Sequence, residues 1–149
     1  MSAAFRILVP TDGSDLSHTA AVNAVALAKL SGAQITALHI AEPYSTHVQE
    51  EHVPLHFVLP DEHEKNVHQQ AAPHLADVKK LAEVAGVRCE VRMAMSKFPA
   101  DAIVDAVEQL GCDAIVMGSH GRTGLSKLLL GSETQKVLVK TRVPVLVTH

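Results

Sequence analysis

The stretch Phe5–Ala41 reads FRILVPTDGSDLSHTAAVNAVALAKLSGAQITALHIA, and it decides the fold class. Its two ends, FRILVP (Phe5–Pro10) and QITALHIA (Gln34–Ala41), are short apolar runs containing β-branched residues, as expected of strands buried on both faces. The residues between them have apolar positions at helical spacing. Two strands joined by a helix predict a βαβ unit, whose strands lie parallel in one sheet.

The same alternation continues along the chain. Three further apolar runs follow, separated by helical patterns: RCEVRMAM (Arg88–Met95), DAIVMG (Asp113–Gly118) and VPVLVTH (Val143–His149). Residues 1–149 therefore predict a single, Rossmann-like, doubly wound α/β domain with a five-stranded parallel sheet and helices on both faces. In such sheets the ligand lies at the carboxyl ends of the strands, near the point where the strand order reverses.

The four predicted helices have recognisable starts. The first begins at Ser14 or Asp15, and the second begins near Asp61. The third opens with Pro99, and the fourth begins at Ser132. The first three helices end at glycines, namely Gly32, Gly86 and Gly111. The predicted buried positions are Leu16, Ala20, Ala24 and Leu27 in the first helix, Val67, Ala71, Leu75, Val78, Ala82 and Ala85 in the second, and Ile103, Val107 and Leu110 in the third.

Two of these helices carry a further signal. Pro73 lies inside the second helix and predicts a kink there. Ser132 and Gln135 have the S-x-x-Q spacing of a capping box, which predicts that Ser132 caps the fourth helix.

Composition argues against several classes of function. The 149 residues carry a net charge of −3, and their basic residues are spread along the chain, which argues against a nucleic-acid partner. No apolar stretch reaches the length of a membrane span, and we recognise no signal peptide, so we expect a cytoplasmic protein without a membrane partner. Cys89 and Cys112 are expected to be reduced core thiols.

A glycine-rich segment, GSHGRTGLSKLLLGS, follows the predicted fourth strand. Gly118 and Gly121 are separated by two residues, and Gly131 and Ser132 follow after nine more. Glycines let backbone N–H groups approach phosphate oxygens, and a helix that begins at Ser132 adds amide donors and the positive end of its dipole. The segment predicts a phosphate-binding loop of neither the Walker nor the Rossmann type. The same glycines would also suit a strand end and a break before a helix.

Charged residues near this predicted site each have two interpretations. Asp12, in VPTDGS after the first strand, would accept a hydrogen bond from a ribose or base or help to hold a metal ion, and it would also serve as a helix cap. Arg122 and Lys127 lie in the nine-residue spacer and would either offset phosphate charge or face solvent. His120 lies within the glycine segment, with solvent exposure as the alternative to ligand contact.

Three segments together resemble the universal stress protein family: VPTDGS, LHIAEP and GSHGRTGLSKLLLGSETQKVLVKTRVPVLV. The resemblance covers essentially the whole chain and implies an adenine nucleotide alpha hydrolase-like fold. The ATP-binding branch of that family is marked by G-x2-G-x9-G-[ST], which Gly118, Gly121, Gly131 and Ser132 satisfy. The resemblance thus implies bound ATP with Mg²⁺ and a homodimer paired through the last strand, Val143–His149. The exposed apolar edge of that strand also favours pairing.

The resemblance also implies which residues contact the nucleotide. The adenosine would lie near Pro10, Thr11, Asp12, Ile40 and Met117, although Ile40 and Met117 suit a strand core equally well. The ribose and phosphates would lie near Gly118, His120, Gly121, Arg122, Gly131, Ser132, Glu133 and Thr134. The His- and Pro-containing segment 42–60 departs from the family pattern, and Phe98 is a poor residue to cap the helix that opens with Pro99.

The sequence favours a nucleotide-binding regulator of a stress response over an enzyme. No complete set of catalytic side chains is recognisable, since Ser14 and Ser17 have no His and Asp partners at a known spacing. The ten histidines show no metal-ligand spacing. A slow ATPase and a nucleotide-independent dimeric scaffold are the alternatives.

Overall fold

The computed structural model describes residues 3–43, 60–120 and 129–149, in which five strands alternate with four helices. The strands are β1 (Arg6–Pro10), β2 (Gln34–Ala41), β3 (Cys89–Met95), β4 (Ala114–Gly118) and β5 (Val145–Thr148). The helices are α1 (Asp15–Ser31), α2 (Pro60–Val84), α3 (Pro99–Leu110) and α4 (Ser132–Lys140). Every predicted element is present, and the doubly wound α/β fold is confirmed.

The five strands lie parallel in one sheet of order β3-β2-β1-β4-β5. From β1 the chain moves outward to β2 and β3, and it then crosses back to place β4 on the other side of β1. The strand order therefore reverses between β1 and β4. Pro10 and Gly118 end these two neighbouring strands, so both lie at the carboxyl edge of the sheet where a ligand is expected.

Apolar side chains form a separate core on each face of the sheet. Ile7 and Val9 of β1 pack with α1 and α2, whereas Leu8 between them packs with α3 and α4. Successive strand residues point to opposite faces, so a strand covered on both faces must be apolar at consecutive positions. This requirement explains the uninterrupted apolar runs that identify the strands in the sequence.

The buried face of α1 differs from the predicted one. Its buried residues are Ser17, Ala20, Ala21, Ala24, Val25 and Ala28. Leu16 is half-buried and Leu27 is 42% exposed, so the prediction was wrong for these two leucines and right for the two alanines. The small alanine side chains let the helix approach the sheet closely, and the larger leucines lie at the margins of the contact.

The predicted faces of α2 and α3 are largely confirmed. The buried positions are Val67, Ala71, Leu75, Val78 and Ala82 in α2, and Ile103 and Val107 in α3, with Ala85 and Leu110 half-buried. Helix α2 continues through Pro73 as one element, and a kink there stays a prediction. Among the residues described, no helix is long and apolar enough to cross a membrane.

Both cysteines are free thiols, as predicted. Cys112 is buried just before β4, and Cys89 is half-buried at the start of β3. Burial raises the pKa of each thiol because it disfavours the charged thiolate. The two side chains therefore act as small apolar groups at the amino edge of the sheet.

Candidate functional site

Hydrogen bonds from β2 hold the turn between β1 and α1. The Thr11 N–H donates to the Leu38 carbonyl at 2.8 Å, and His39 Nδ1 lies 2.9 Å from the Thr11 carbonyl, which it can meet only as a donor. Thr11 itself is buried. The second strand thus fixes the backbone of a residue for which the family resemblance implies contact with the adenosine.

Asp12 and Ser14 organise the first turn of α1. Asp12 Oδ1 accepts a hydrogen bond from the Ser14 N–H at 2.9 Å, forming an Asx-type turn. Ser14 is the N-cap of the helix, because its Oγ accepts from the Ser17 N–H at 3.2 Å. The interpretation of Asp12 as the cap was therefore wrong. Its carboxylate shapes the turn that leads into the cap.

The same turn contacts α2 through a glycine. Gly13 has a φ of 79°, and a Cβ at this position would lie 2.2 Å from His74 Cε1, so the imidazole fills the space that glycine leaves. A cleft of about 260 Å³ lies beside this contact, lined by Thr11, Gly13, Ser14, Asp15, Ser17, His18, Pro73, His74 and Asp77. It lies between the start of α1 and the middle of α2, and it shares Thr11 with the predicted nucleotide contacts.

The end of β4 and the start of α4 are tied together. The Gly131 N–H donates to the Ser119 carbonyl at 2.7 Å, and Thr134 Oγ1 donates to the Gly118 carbonyl at 3.0 Å. A Cβ at Gly131 would lie 2.8 Å from His120 Cβ, which is closer than real Cβ atoms approach. Gly118 and Gly131, which are distant in sequence, therefore lie together where the end of β4 contacts the start of α4.

Gly118 joins this contact to the first turn of α1. A Cβ at Gly118 would lie 3.2 Å from Leu16 Cβ and 3.3 Å from the Leu16 carbonyl oxygen. The end of β4 thus packs directly on α1. The β1–α1 turn, the end of β4 and the start of α4 meet at the carboxyl edge of the sheet, as the sequence predicted.

Three other predicted contacts are strand residues at this edge. Pro10 ends β1, while Ile40 and Met117 are the next-to-last residues of β2 and β4. Pro10 and Ile40 are half-buried. Met117 is buried in the core that α3 and α4 cover, and Ile40 packs against that core. Both apolar side chains therefore have a packing role.

Gly131, rather than Ser132, is the N-cap of α4. Ser132 is the first helical residue and is exposed, while Gln135 Nε2 donates to the Leu130 carbonyl at 2.7 Å. The predicted capping box was therefore wrong. A glycine cap has no side-chain oxygen to offer the first-turn N–H groups, and no other side chain in the described part of the chain caps them. The positive end of the helix dipole favours an anion in that position.

Glu133 is bonded to a neighbouring helix. Its Oε2 accepts from the Ala100 N–H at 2.8 Å, and its Oε1 accepts from Lys136 Nζ at 2.9 Å. Phe98, the N-cap of α3, has no side-chain oxygen, as the sequence indicated. A carboxylate from α4 therefore caps α3 in its place.

Several predicted contacts lie outside the described residues. These are Gly121, Arg122 and the spacer residue Lys127. Most of the segment 42–60 also lies outside them.

Sequence reasoning missed two residues of this edge. His39 is a polar residue within a buried strand, and that position was the available signal. Ser119 lies between Gly118 and His120 and is buried; its N–H donates to the Thr148 carbonyl at 2.8 Å. A hydroxyl residue inside a glycine motif gave no sign that it would be buried. Within the described ranges, no three His, Cys, Asp or Glu side chains are placed to hold a metal ion.

Comparison with known proteins adds independent findings. A family model described as the universal stress protein family matches residues 4–149. The universal stress protein MJ0531 of Methanocaldococcus jannaschii is 38% identical over 144 residues, covering 95% of this chain and 80% of that protein. The solved structure of MJ0577 matches with a TM-score of 0.80 and 30% identity, covering 97% of this chain and 94% of that one. A universal stress protein solved in complex with cAMP matches with a TM-score of 0.71 and 25% identity, covering 99% and 98%.

Proposed function

Because this chain belongs to the universal stress protein family, we propose that it binds ATP at the carboxyl edge of β1 and β4 and that the bound state regulates a partner during stress. The observation that carries the proposal is the start of α4. Its N-cap, Gly131, has no side chain and packs against His120, which leaves first-turn N–H groups for phosphate oxygens.

The proposed site divides into two parts. The phosphates lie against the start of α4 and the end of β4, and the proposed contacts are Gly118, His120, Gly121, Arg122, Gly131, Ser132 and Thr134. The adenosine lies toward the β1–α1 turn, with Pro10, Thr11, Asp12, Ile40 and Met117 as the proposed contacts. The solved relative bound to cAMP supports an adenine nucleotide as the ligand. The Asp12 carboxylate suits a ribose hydroxyl, since an ionised carboxylate only accepts hydrogen bonds.

The hydrogen bonds of two hydroxyl groups at this edge support nucleotide binding without catalysis. Ser17 Oγ donates to the Ser14 carbonyl at 2.8 Å, and Thr134 Oγ1 donates to the Gly118 carbonyl at 3.0 Å. Both hydroxyls donate their hydrogen bonds to backbone carbonyls, whereas the hydroxyl of a nucleophile donates to a general base. We therefore propose a nucleotide-dependent regulator rather than an enzyme.

Isothermal titration tests this proposal. We expect wild-type protein to bind ATP saturably in the presence of Mg²⁺, more tightly than AMP, because AMP lacks the phosphates that reach the start of α4. GTP should bind more weakly if the base lies against the β1–α1 turn. Absence of binding at millimolar ATP with Mg²⁺ would rule the proposal out. Hydrolysis in a single turnover that is faster than in Gly131→Val would favour the slow ATPase instead.

We also propose that the protein is a cytoplasmic homodimer paired through Val143–His149. The strand β5 lies at the end of the sheet order, and Leu146 within it is 48% exposed. Unpaired edge strands attract a partner strand. Sedimentation of Leu146→Lys should give a monomer, while the control Leu30→Lys, at an 87% exposed position on α1, should remain a dimer. A monomeric wild-type protein would contradict this part of the proposal.

A further inference from the structure

The first turn of α3 depends on a residue from another helix. Pro99 is its first residue and has no N–H group, and Phe98 before it has no side-chain oxygen with which to cap the helix. Ala100 therefore carries the first N–H of this turn, and it is 2% exposed. The acceptor for this buried donor is Glu133 Oε2 at 2.8 Å, from the first turn of α4.

The two carboxylate oxygens of Glu133 have separate protein partners. One oxygen accepts from the Ala100 N–H on α3. The other accepts from Lys136 Nζ, one turn further along α4, at a distance of 2.9 Å. A carboxylate near a triphosphate is repelled unless its charge is offset. The N-terminal turn of α3 and the Lys136 ammonium supply that offset here.

The neighbouring residues link this contact to the proposed phosphate site. Gly131 is two residues before Glu133, and Thr134 directly follows it. Thr134 ties the first turn of α4 to the Gly118 carbonyl of β4, while Glu133 ties the same turn to α3. The turn that presents the N–H groups is thereby anchored on two sides.

We infer that Glu133 is a positioning residue for nucleotide binding: by capping α3 its carboxylate fixes the first turn of α4, and that carboxylate contacts neither the nucleotide nor a metal ion. The inference rests on the proposed function, and it differs from the direct contact that the family resemblance implies for Glu133. It explains why an acidic residue is compatible with the start of a phosphate-binding helix.

Titration of matched variants with ATP tests the inference. Glu133→Ala leaves the buried Ala100 N–H without its acceptor, and we expect ATP affinity to fall about tenfold. Glu133→Gln keeps an oxygen that can accept from Ala100, so its affinity should stay within about twofold of wild type. Lys136→Ala removes the ion pair and keeps the cap, and it should behave like Glu133→Gln. Lys140→Ala breaks the other α3–α4 bridge, to Asp101, and serves as the control.

Amide exchange of the nucleotide-free protein supplies an independent readout. The Ala100 N–H should exchange faster, and the Ser132 amide resonance should shift, in Glu133→Ala but not in Lys140→Ala. If Glu133→Gln lost affinity as fully as Glu133→Ala, and only with Mg²⁺ present, Glu133 would be a metal ligand and the inference would be wrong. Wild-type affinity in Glu133→Ala would also overturn it. Failure of the wild type to bind ATP would instead refute the proposed function, and the amide data would still decide whether Glu133 sets the turn.

Discussion

The starts of α1 and α4 lie at the same edge of the sheet and are built in opposite ways. At α1, polar side chains serve the backbone of their own turn: Ser14 caps the helix, and Asp12 accepts from the Ser14 N–H. At α4, the cap is Gly131, which has no side chain, and the exposed Ser132 follows it. We call the first helix start closed, because a side chain caps it, and the second open, because no side chain among the described residues caps it. Under the proposed function the phosphates bind at the open start, which would make the polarity of the sequence a poor guide to which of two helix starts binds an anion.

The largest expected effect comes from filling the open helix start. In Gly131→Ala the new Cβ would lie 2.8 Å from His120 Cβ and 3.0 Å from its Cα, so backbone must move. Overpacking of this kind costs about 1–3 kcal/mol, and we expect ATP affinity to fall roughly tenfold to hundredfold by calorimetry.

A second alanine variant controls for the loss of a glycine. Gly32, at the end of α1, has a φ of 72°, and a Cβ there would meet no atom within 4 Å among the described residues beyond its own helix and chain neighbours. Gly32→Ala should lower the free energy of unfolding by about 1 kcal/mol, because L residues are strained in this conformation, and should leave ATP affinity unchanged. Equal losses of affinity in both variants would show that general destabilisation explains the result.

The second largest effect on ATP affinity is expected when a hydrogen bond that anchors the start of α4 is removed without adding atoms there. Thr134→Val keeps the shape of a 3% exposed side chain but leaves the Gly118 carbonyl without its donor. We expect a loss of about 1–2 kcal/mol in the free energy of unfolding and an ATP affinity about fivefold weaker. Thr148→Val is the matched control, since its hydroxyl reaches the Met117 carbonyl at the longer distance of 3.5 Å. A larger loss of ATP affinity in Thr148→Val than in Thr134→Val would contradict a specific role for Thr134.

At the closed helix start we expect a change in stability without a change in binding. Ser14→Ala removes the cap of α1 and should lower the free energy of unfolding by about 1 kcal/mol in a urea titration. Its ATP affinity should stay within about twofold of wild type. Thr19→Ala, which removes a methyl group and a hydroxyl bonded to the Asp15 carbonyl but no helix cap, should have a smaller effect on stability. If Ser14→Ala abolished ATP binding, the two helix starts would have to share the ligand.

The smallest effect is expected at the amino edge of the sheet. Burial raises the pKa of Cys89 and Cys112, so the thiolate stays a minor form at neutral pH. Labelling by Ellman's reagent should be slow at pH 7.5 and should accelerate about tenfold per pH unit, without levelling below pH 9. Cys89→Ala should leave ATP affinity unchanged. Fast labelling at pH 7 would show that the thiols are more accessible than the structure indicates.

The elements of the fold were predictable because their signals are local. Each strand is an apolar run, and Gly32 and Gly111 end their helices with φ values of 72° and 63°, as their identity suggested. The buried side of α1 was not predictable in the same way. Leucines and alanines both occur around that helix, and mainly the smaller residues are buried against the sheet.

The site was predictable only as far as a motif specifies it. The glycine spacing identified the end of β4 and the start of α4, but an S-x-x-Q pattern reads the same whether its serine caps the helix or begins it. The bond from Glu133 to the Ala100 N–H joins residues 33 apart, and no local pattern contains it. The bond between His39 of β2 and the Thr11 carbonyl in the β1–α1 turn joins residues 28 apart, so no local pattern contains it either.

The strand order has a consequence for how the protein is made. The first 95 residues contain β1, β2 and β3, which are neighbours in the sheet, so this part of the sheet can assemble before the rest of the chain is translated. Strand β1, which is central in the finished sheet, then has an unpaired edge until Ala114–Gly118 emerges to form β4. An apolar strand with a bare edge invites pairing with another nascent chain. We therefore expect the interval between translation of β3 and translation of β4 to favour misassembly.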